Sequence, residues 1–198
     1  MKYYIIAGEA SGDLHASNLM KEIKNKDTQA EFRFWGGDLM QAQGGTLVKH
    51  YRDLAFMGFA EVLMNLRTIL GNISIAKKDI ETYRPDAVIL VDYPGFNLRI
   101  AEFVKKLGIK VYYYISPQIW AWKSNRVHKI KKVVDKMFVI LPFEEEFYQR
   151  YDYKVDFVGN PLLDSLNHLP SIDEAKFRAE HSLDERPIIA VLPGSRTQ

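Results

Sequence analysis

Four stretches of this sequence carry side chains that could do chemistry. Gly8-Glu9-Ala10-Ser11-Gly12-Asp13 breaks the apolar run from Tyr3 to Ala7 and leads into a segment that reads as a helix. Glycines bracketing small and acidic residues permit backbone conformations that side chains forbid, and a helix entered there presents unpaired N–H groups. Such a turn can cradle a phosphate; it can equally be an ordinary strand-to-helix turn with Ser11 or Asp13 as N-cap. Asp92 follows the unbroken apolar run Ala87-Val88-Ile89-Leu90-Val91 and opens Asp92-Tyr93-Pro94-Gly95-Phe96-Asn97. A carboxylate at the carboxyl end of a central parallel strand stands on the edge where open α/β sheets bind ligands, although it could simply cap the Pro-Gly turn. Ser116-Pro117-Gln118-Ile119-Trp120-Ala121-Trp122 puts two tryptophans in a strand-to-helix loop. They suit either a lid over the core or contact with a sugar or acyl chain. Pro193-Gly194-Ser195-Arg196 is a second phosphate-type turn.

The elements that must position these groups alternate strand and helix. Strands are expected at Tyr3 to Ala7, Phe32 to Trp35, Ala87 to Val91, Lys110 to Ile115, Met137 to Leu141 and Val155 to Val158. Helices are expected at Leu14 to Lys26, from Phe59 to Arg84, at Leu98 to Leu107, Lys123 to Val134 and Phe143 to Tyr151. That rhythm predicts an α/β fold, a Rossmann-like parallel sheet with helices on both faces. Paired glycines at Gly36-Gly37 and Gly44-Gly45 fit tight turns. In the long helix Val62, Leu63, Leu66, Ile69, Leu70 and Ile73 recur at helical spacing. The stripe is either a core-facing surface or an exposed one for lipid or acyl chains. Lys123, Arg126, Lys129, Lys131 and Lys132 mark a solvated helix face that could also attract anionic headgroups. Residues 167–186 are polar, with one helix expected from Ile172 to Glu180, and suit a connection between domains. Pro187 to Leu192 reads as a fresh buried strand, so residues 1–166 are expected to form one domain and 187–198 to begin another.

Composition narrows the possibilities. A chain of 198 residues, 47% hydrophobic, can bury a full core. Its 27 Lys and Arg against 25 Asp and Glu leave a net charge of +2, which gives no global reason to bind nucleic acid. There is no cysteine, so neither a disulfide framework nor a thiolate metal or redox site is available. The cysteine-free composition fits the cytoplasm, and no apolar run is long enough for a signal segment or a membrane span, so any membrane contact is expected to be peripheral.

Five stretches together resemble the lipid-A-disaccharide synthase family, glycosyltransferases of the two-domain GT-B type, from Ile5 to the last residues. They are Gly8 to Asp13, Met57-Gly58-Phe59-Ala60-Glu61-Val62-Leu63, Asp92 to Asn97, Ser116 to Arg126, and Leu192-Pro193-Gly194-Ser195-Arg196. Asn160 departs from the histidine common in the family at that position. The resemblance implies the N-terminal, acceptor-side domain of a GT-B fold, with the donor-binding C-terminal domain truncated. It also implies transfer of 2,3-diacylglucosamine from UDP to the 6-hydroxyl of 2,3-diacylglucosamine 1-phosphate in lipid A biosynthesis. On that reading Asp92 is the catalytic base, and Ser11, Gly12, Glu9, Asn97, Trp120 and Trp122 contact substrate. Ser195 and Arg196 hold the donor diphosphate, and Val62, Leu63, Leu66, Ile69 and Leu70 face acyl chains or the anionic inner membrane. No cofactor or metal is implied, and the chain alone is expected to show little or no transferase activity. The alternatives are a non-catalytic lipid or sugar binding module and another UDP-sugar enzyme, such as an epimerase; the tryptophan loop and the apolar stripe argue against the latter.

Overall fold

The computed structural model describes residues 1–54, 66–167, 171 and 173–191, apart from the side chains of Leu66, Ser165 and Asn167. The chain divides into two compact units, Met1–Pro161 and Leu162–Gln198.

The first unit is built on a seven-stranded, wholly parallel sheet. In chain order it contains β1 (Lys2–Ala7), α1 (Ala10–Lys26), β2 (Glu31–Gly36), α2 (Asp38–Ala42), β3 (Thr46–His50) and α3 (Leu66–Tyr83). There follow β4 (Ala87–Val91), α4 (Pro94–Lys106), β5 (Lys110–Tyr114), α5 (Ile119–Trp122), α6 (Val127–Val133), β6 (Lys136–Val139), α7 (Phe143–Gln149) and β7 (Asp156–Phe157). The order β3-β2-β1-β4-β5-β6-β7 runs outward from β1, then returns beside it at β4 and runs outward the other way. Where the direction reverses, the loops leaving β1 and β4 diverge and open a crevice at the carboxyl edge. The register pairs Ala7 with Val91 and Val91 with Tyr114, so Gly8, Asp92 and Ile115 leave the sheet side by side.

Both faces are covered, which is why the central strands read as unbroken apolar runs. Successive strand residues point to opposite faces. Tyr4, Ile6, Val88, Leu90, Val111 and Tyr113 join the larger core with Ile73, Ala76 and Ile80 of α3 and Ile100, Ala101 and Val104 of α4. Ile5, Ala7, Ile89 and Val91 join the smaller core with Ala16 and Met20 of α1. Two polar side chains inside the larger core, Tyr4 and Trp35, are paired. The Trp35 Nε1–H donates to the Tyr4 hydroxyl at 2.8 Å, and that hydroxyl donates to Asp79 Oδ2 at 2.8 Å. Arg33 completes the network with a two-pronged bond to the same carboxylate.

Several expectations change. β3 and the helix α8 (Pro161–Asn167) went unread in the sequence. α4 begins at Pro94, so Pro94 and Gly95 are the first turn of a helix rather than a separate turn; proline suits that position because its missing N–H would be unpaired there anyway. The helix α9 (Glu174–Glu180) is capped by Asp173, whose carboxylate accepts the Ala175 and Lys176 N–H groups, and it starts two residues later than expected. Residues 187–191 form no strand, and Ile189 and Val191 are exposed. A parallel strand requires a neighbour to accept its hydrogen bonds, and no described strand pairs with this one. The apolar stripe splits: Ile73 is buried and Ile69 packs against the core, whereas Leu70 is 53% exposed. Val62 and Leu63 lie outside the described residues. No described helix is long and apolar enough to cross a membrane.

Candidate active site

The loop after β1, from Gly8 to Gly12, and the loop after β4, from Asp92, leave the sheet on the two sides of its switch point. α1 starts directly after β1, with Glu9 in extended conformation at its N-cap and making no cap bond to α1 with its own side chain. Ser11 is exposed in that first turn and Gly12 is buried beneath it, 3.2 Å from Ala7 Cβ at the position a side chain would take. Asp13, one of the two residues expected as N-cap of α1, instead lies inside α1 and serves another helix. Its buried carboxylate accepts N–H groups from Gly37 at 2.7 Å, Leu39 at 3.1 Å and Met40 at 3.1 Å, so it caps α2 from outside.

Across the crevice Asp92 and Tyr93 both adopt left-handed backbone, with φ of 44° and 47°. Neither is glycine, and each such residue costs about 1 to 3 kcal/mol, a strain that persists only where its surroundings hold it. Three groups do so. The Tyr113 hydroxyl donates to the Asp92 carbonyl, and the Asn97 amide donates to the same carbonyl at 2.8 Å and to that of Val91 at 3.2 Å. The Tyr93 ring lies flat against the backbone of Gly8, where a Cβ would fall 2.5 Å from the ring. Only glycine fits there. Ile115, at the end of β5, is a third left-handed residue, with φ of 65°. Strained backbone therefore gathers along one sheet edge.

The electrostatics tie the loops together. Burial pushes the Tyr93 hydroxyl above its ordinary pKa, and the nearby Glu9 carboxylate pushes it further. Burial likewise raises Tyr113, with the Asp92 charge adding to it and the Asn97 amide and Arg126 guanidinium acting the other way. Tyr113 thus feels a carboxylate from the β4 loop and a cation from the segment beyond β5. Among the described residues no group of three or more His, Asp or Glu side chains comes together to hold a metal.

The two tryptophans of the loop differ. Trp120 packs edge-on against Phe143 with ring centroids 4.9 Å apart, and its Nε1 is buried with no hydrogen-bond partner among the described residues. Trp122 is 76% exposed, with Lys123 Nζ 5.2 Å from its ring centroid. Asn97, expected to contact substrate, is fully buried and turned to the backbone of its own loop. Ser195 and Arg196 lie outside the described residues. Tyr113 was missed in the sequence because Lys110 to Tyr114 reads only as a strand, and nothing in that pattern distinguishes its hydroxyl.

Over residues 3–198 the sequence matches the lipid-A-disaccharide synthetase family. The chain belongs to that family. Lipid-A-disaccharide synthase of Geobacter metallireducens is 44% identical over 193 residues, which is 97% of this chain and 50% of that protein. The protein of the same name from Coxiella burnetii is 41% identical over 195 residues, 98% of this chain and 51% of that one. The chain therefore spans about half the length of the curated synthases it matches. Among solved structures, UDP-N-acetylglucosamine 2-epimerase from Rickettsia bellii aligns with a TM-score of 0.64 at 15% identity, over 93% of this chain and 52% of that one. UDP-GlcNAc 2-epimerase from Neisseria meningitidis, bound to UDP-GlcNAc, aligns with a TM-score of 0.60 at 14% identity, over 84% and 48%. At such identity these establish the fold, a GT-B-like α/β half, and leave chemistry to the site. The resemblance read from the five synthase motifs agrees with the family match.

Proposed function

We propose that the protein carrying this chain is an inverting glycosyltransferase of lipid A biosynthesis, joining UDP-2,3-diacylglucosamine to 2,3-diacylglucosamine 1-phosphate with release of UDP. The observation that carries this reading is Asp92 on a strained, clamped turn at the sheet's switch point, in a chain that belongs to the lipid-A-disaccharide synthetase family. Asp92 takes the proton from the acceptor 6-hydroxyl as its oxygen attacks the anomeric carbon. The bond from that carbon to the diphosphate breaks on the opposite side, and UDP leaves with the electron pair. Ser11, the Gly12 N–H and Glu9 line the facing wall and orient a sugar or phosphate at the start of α1. Asn97 works indirectly, holding the turn on which Asp92 sits. Ser195 and Arg196 receive the diphosphate, where a planar guanidinium matches phosphate oxygens. In this reading residues 1–166 are the acceptor-side domain, 167–186 the connection and 187–198 the start of the donor-binding domain. The test is UDP release by the whole product of the gene encoding this chain, mixed with both acylated sugars. Absence of UDP release in a folded protein would remove the assignment.

The same reading places the start of α3 and Leu70 against acyl chains or the cytoplasmic face of an anionic inner membrane. Support comes from the exposure of Leu70 beside the core-facing Ile69 and Ile73. Replacing Leu63 and Leu70 by serine is expected to abolish co-sedimentation with anionic liposomes, and unchanged sedimentation of the folded variant would count against it.

A further inference from the structure

The segment that follows the tryptophan loop forms a site of its own. Trp122, Lys123, Ser124, Asn125 and Arg126 are consecutive, and together they line an open cleft of about 490 Å³. The chain bends at Lys123, with φ of −143° and ψ of 49°, between α5 and a single 3-10 turn at Ser124–Arg126, so five adjacent side chains ring one hollow. Among the described residues no carboxylate lines it. Among the described residues neither Lys123 nor Arg126 is ion-paired. Of the three lysines farther along α6, two are engaged: Lys129 pairs with Glu102 at 3.0 Å and Lys131 donates to the Tyr151 carbonyl at 2.8 Å. Two cations without carboxylate partners, sharing one hollow with a hydroxyl and an amide, favour an anion there.

The cleft also has an apolar wall and a defined place in the fold. The exposed face of Trp122, with Lys123 against it, offers the flat amphipathic surface on which sugar rings pack. β5 pairs with β4, and the segment leaves the sheet next to the Asp92 turn. The Tyr113 hydroxyl, bonded to the Asp92 carbonyl, also feels the Arg126 charge, so the two loops share one neighbourhood.

We infer that this cleft is the subsite for the phosphomonoester of a sugar phosphate, with Lys123 and Arg126 taking the phosphate oxygens and Trp122 covering a face of the sugar. A phosphomonoester carries about −1.5 to −2 charges at pH 7 and three acceptor oxygens, which suits a guanidinium and an ammonium better than it suits solvent-exposed threonines or amides alone. The identity of that sugar as the acceptor rests on the function proposed above. On that reading the phosphate at C1 anchors the acceptor while its 6-hydroxyl, one sugar's width away, is left facing the Asp92 turn. An anionic lipid headgroup shares the phosphate chemistry but lacks the sugar ring and the monoester charge.

The test uses the isotopically labelled 198-residue chain and glucosamine 1-phosphate, followed at the Trp122 indole N–H and the amides of residues 123–126. Saturable shifts are expected at these positions. Arg126→Gln is expected to weaken binding about tenfold and Lys123→Gln about fivefold. Lys131→Gln, outside the cleft, leaves it unchanged. Affinity is expected to fall with added salt, and as pH drops through about 6, where the phosphate takes up a proton. Equal binding of unphosphorylated glucosamine, indifference to both variants, absence of shifts, or a response only to phosphatidylglycerol vesicles would each overturn the assignment. Phosphate binding in a protein that releases no UDP would keep the subsite and remove the transferase. Normal turnover in both variants would do the reverse.

Discussion

Asp92→Asn is expected to lower UDP release by the whole gene product about 100- to 10,000-fold, the range by which a positioned base accelerates proton transfer. The substitution isolates the carboxylate from the turn that carries it. Asp92 sits at φ 44°, and asparagine is among the few residues that tolerate left-handed backbone, so the strained pair Asp92-Tyr93 is kept. Its carbonyl still accepts from Tyr113 and Asn97, because those bonds go to the backbone. The variant is therefore expected to keep the turn and a cooperative melting transition, so that lost turnover reports on the carboxylate. Tyr113→Phe provides the companion result. It keeps the buried ring and removes only the hydroxyl, and is expected to cost about tenfold in turnover with little change in substrate affinity. That split identifies a residue acting through Asp92 rather than on substrate. Full activity in Asp92→Asn would exclude this carboxylate as the base.

The second large effect falls on stability. Asp13→Ala is expected to destabilise the chain by about 3 kcal/mol, lowering the melting temperature by roughly 6 to 12 °C. The carboxylate is 3% exposed and is the acceptor for three backbone N–H groups at the start of α2. Removing it leaves those donors in a pocket where Gly37 has no room for compensation: a Cβ there would meet the Tyr51 ring at 2.3 Å. Asp13→Asn should be milder, since Oδ1 can still receive Gly37 and Met40 while the amide faces the Leu39 N–H donor to donor. Urea denaturation read by tryptophan fluorescence measures both. A loss below about 1 kcal/mol for the alanine variant would show that water replaces the carboxylate at no cost.

These two aspartates show what could be read in advance and what could not. Asp92 was visible because it ends an unbroken apolar run and precedes Pro-Gly, two local signals that survive without knowledge of the fold. The outward cap supplied by Asp13 was not, because its partners are 24 to 27 residues away and become neighbours only when β2 is laid beside β1. The same holds for the Tyr113 hydroxyl, which meets Asp92 only through the register of β5 on β4. β3 escaped notice because it is the sheet's last strand on that side and its residues are half-buried or exposed, so Thr46 to His50 lacks the apolar alternation of an inner strand. The strand expected from Pro187 to Leu192 erred in the opposite direction, since residues 187–191 form none. Its apolar residues advertise a capacity for burial, but a strand forms only against a neighbour. The central strands, their helices and the parallel α/β class were legible because burial on both faces writes itself into composition. The family was legible from motif order.

The contact of Tyr93 with Gly8 has a mechanical consequence. A ring from the loop after β4 lies on bare backbone of the loop after β1. The two walls of the crevice are thereby latched, and neither can swing without carrying the other. A ligand that presses on the first turn of α1 loads the turn of Asp92 through one layer of contact, with no relay of moving parts between them. Gly8→Ala would force that latch open from the far wall, changing the aim of the Asp92 carboxylate.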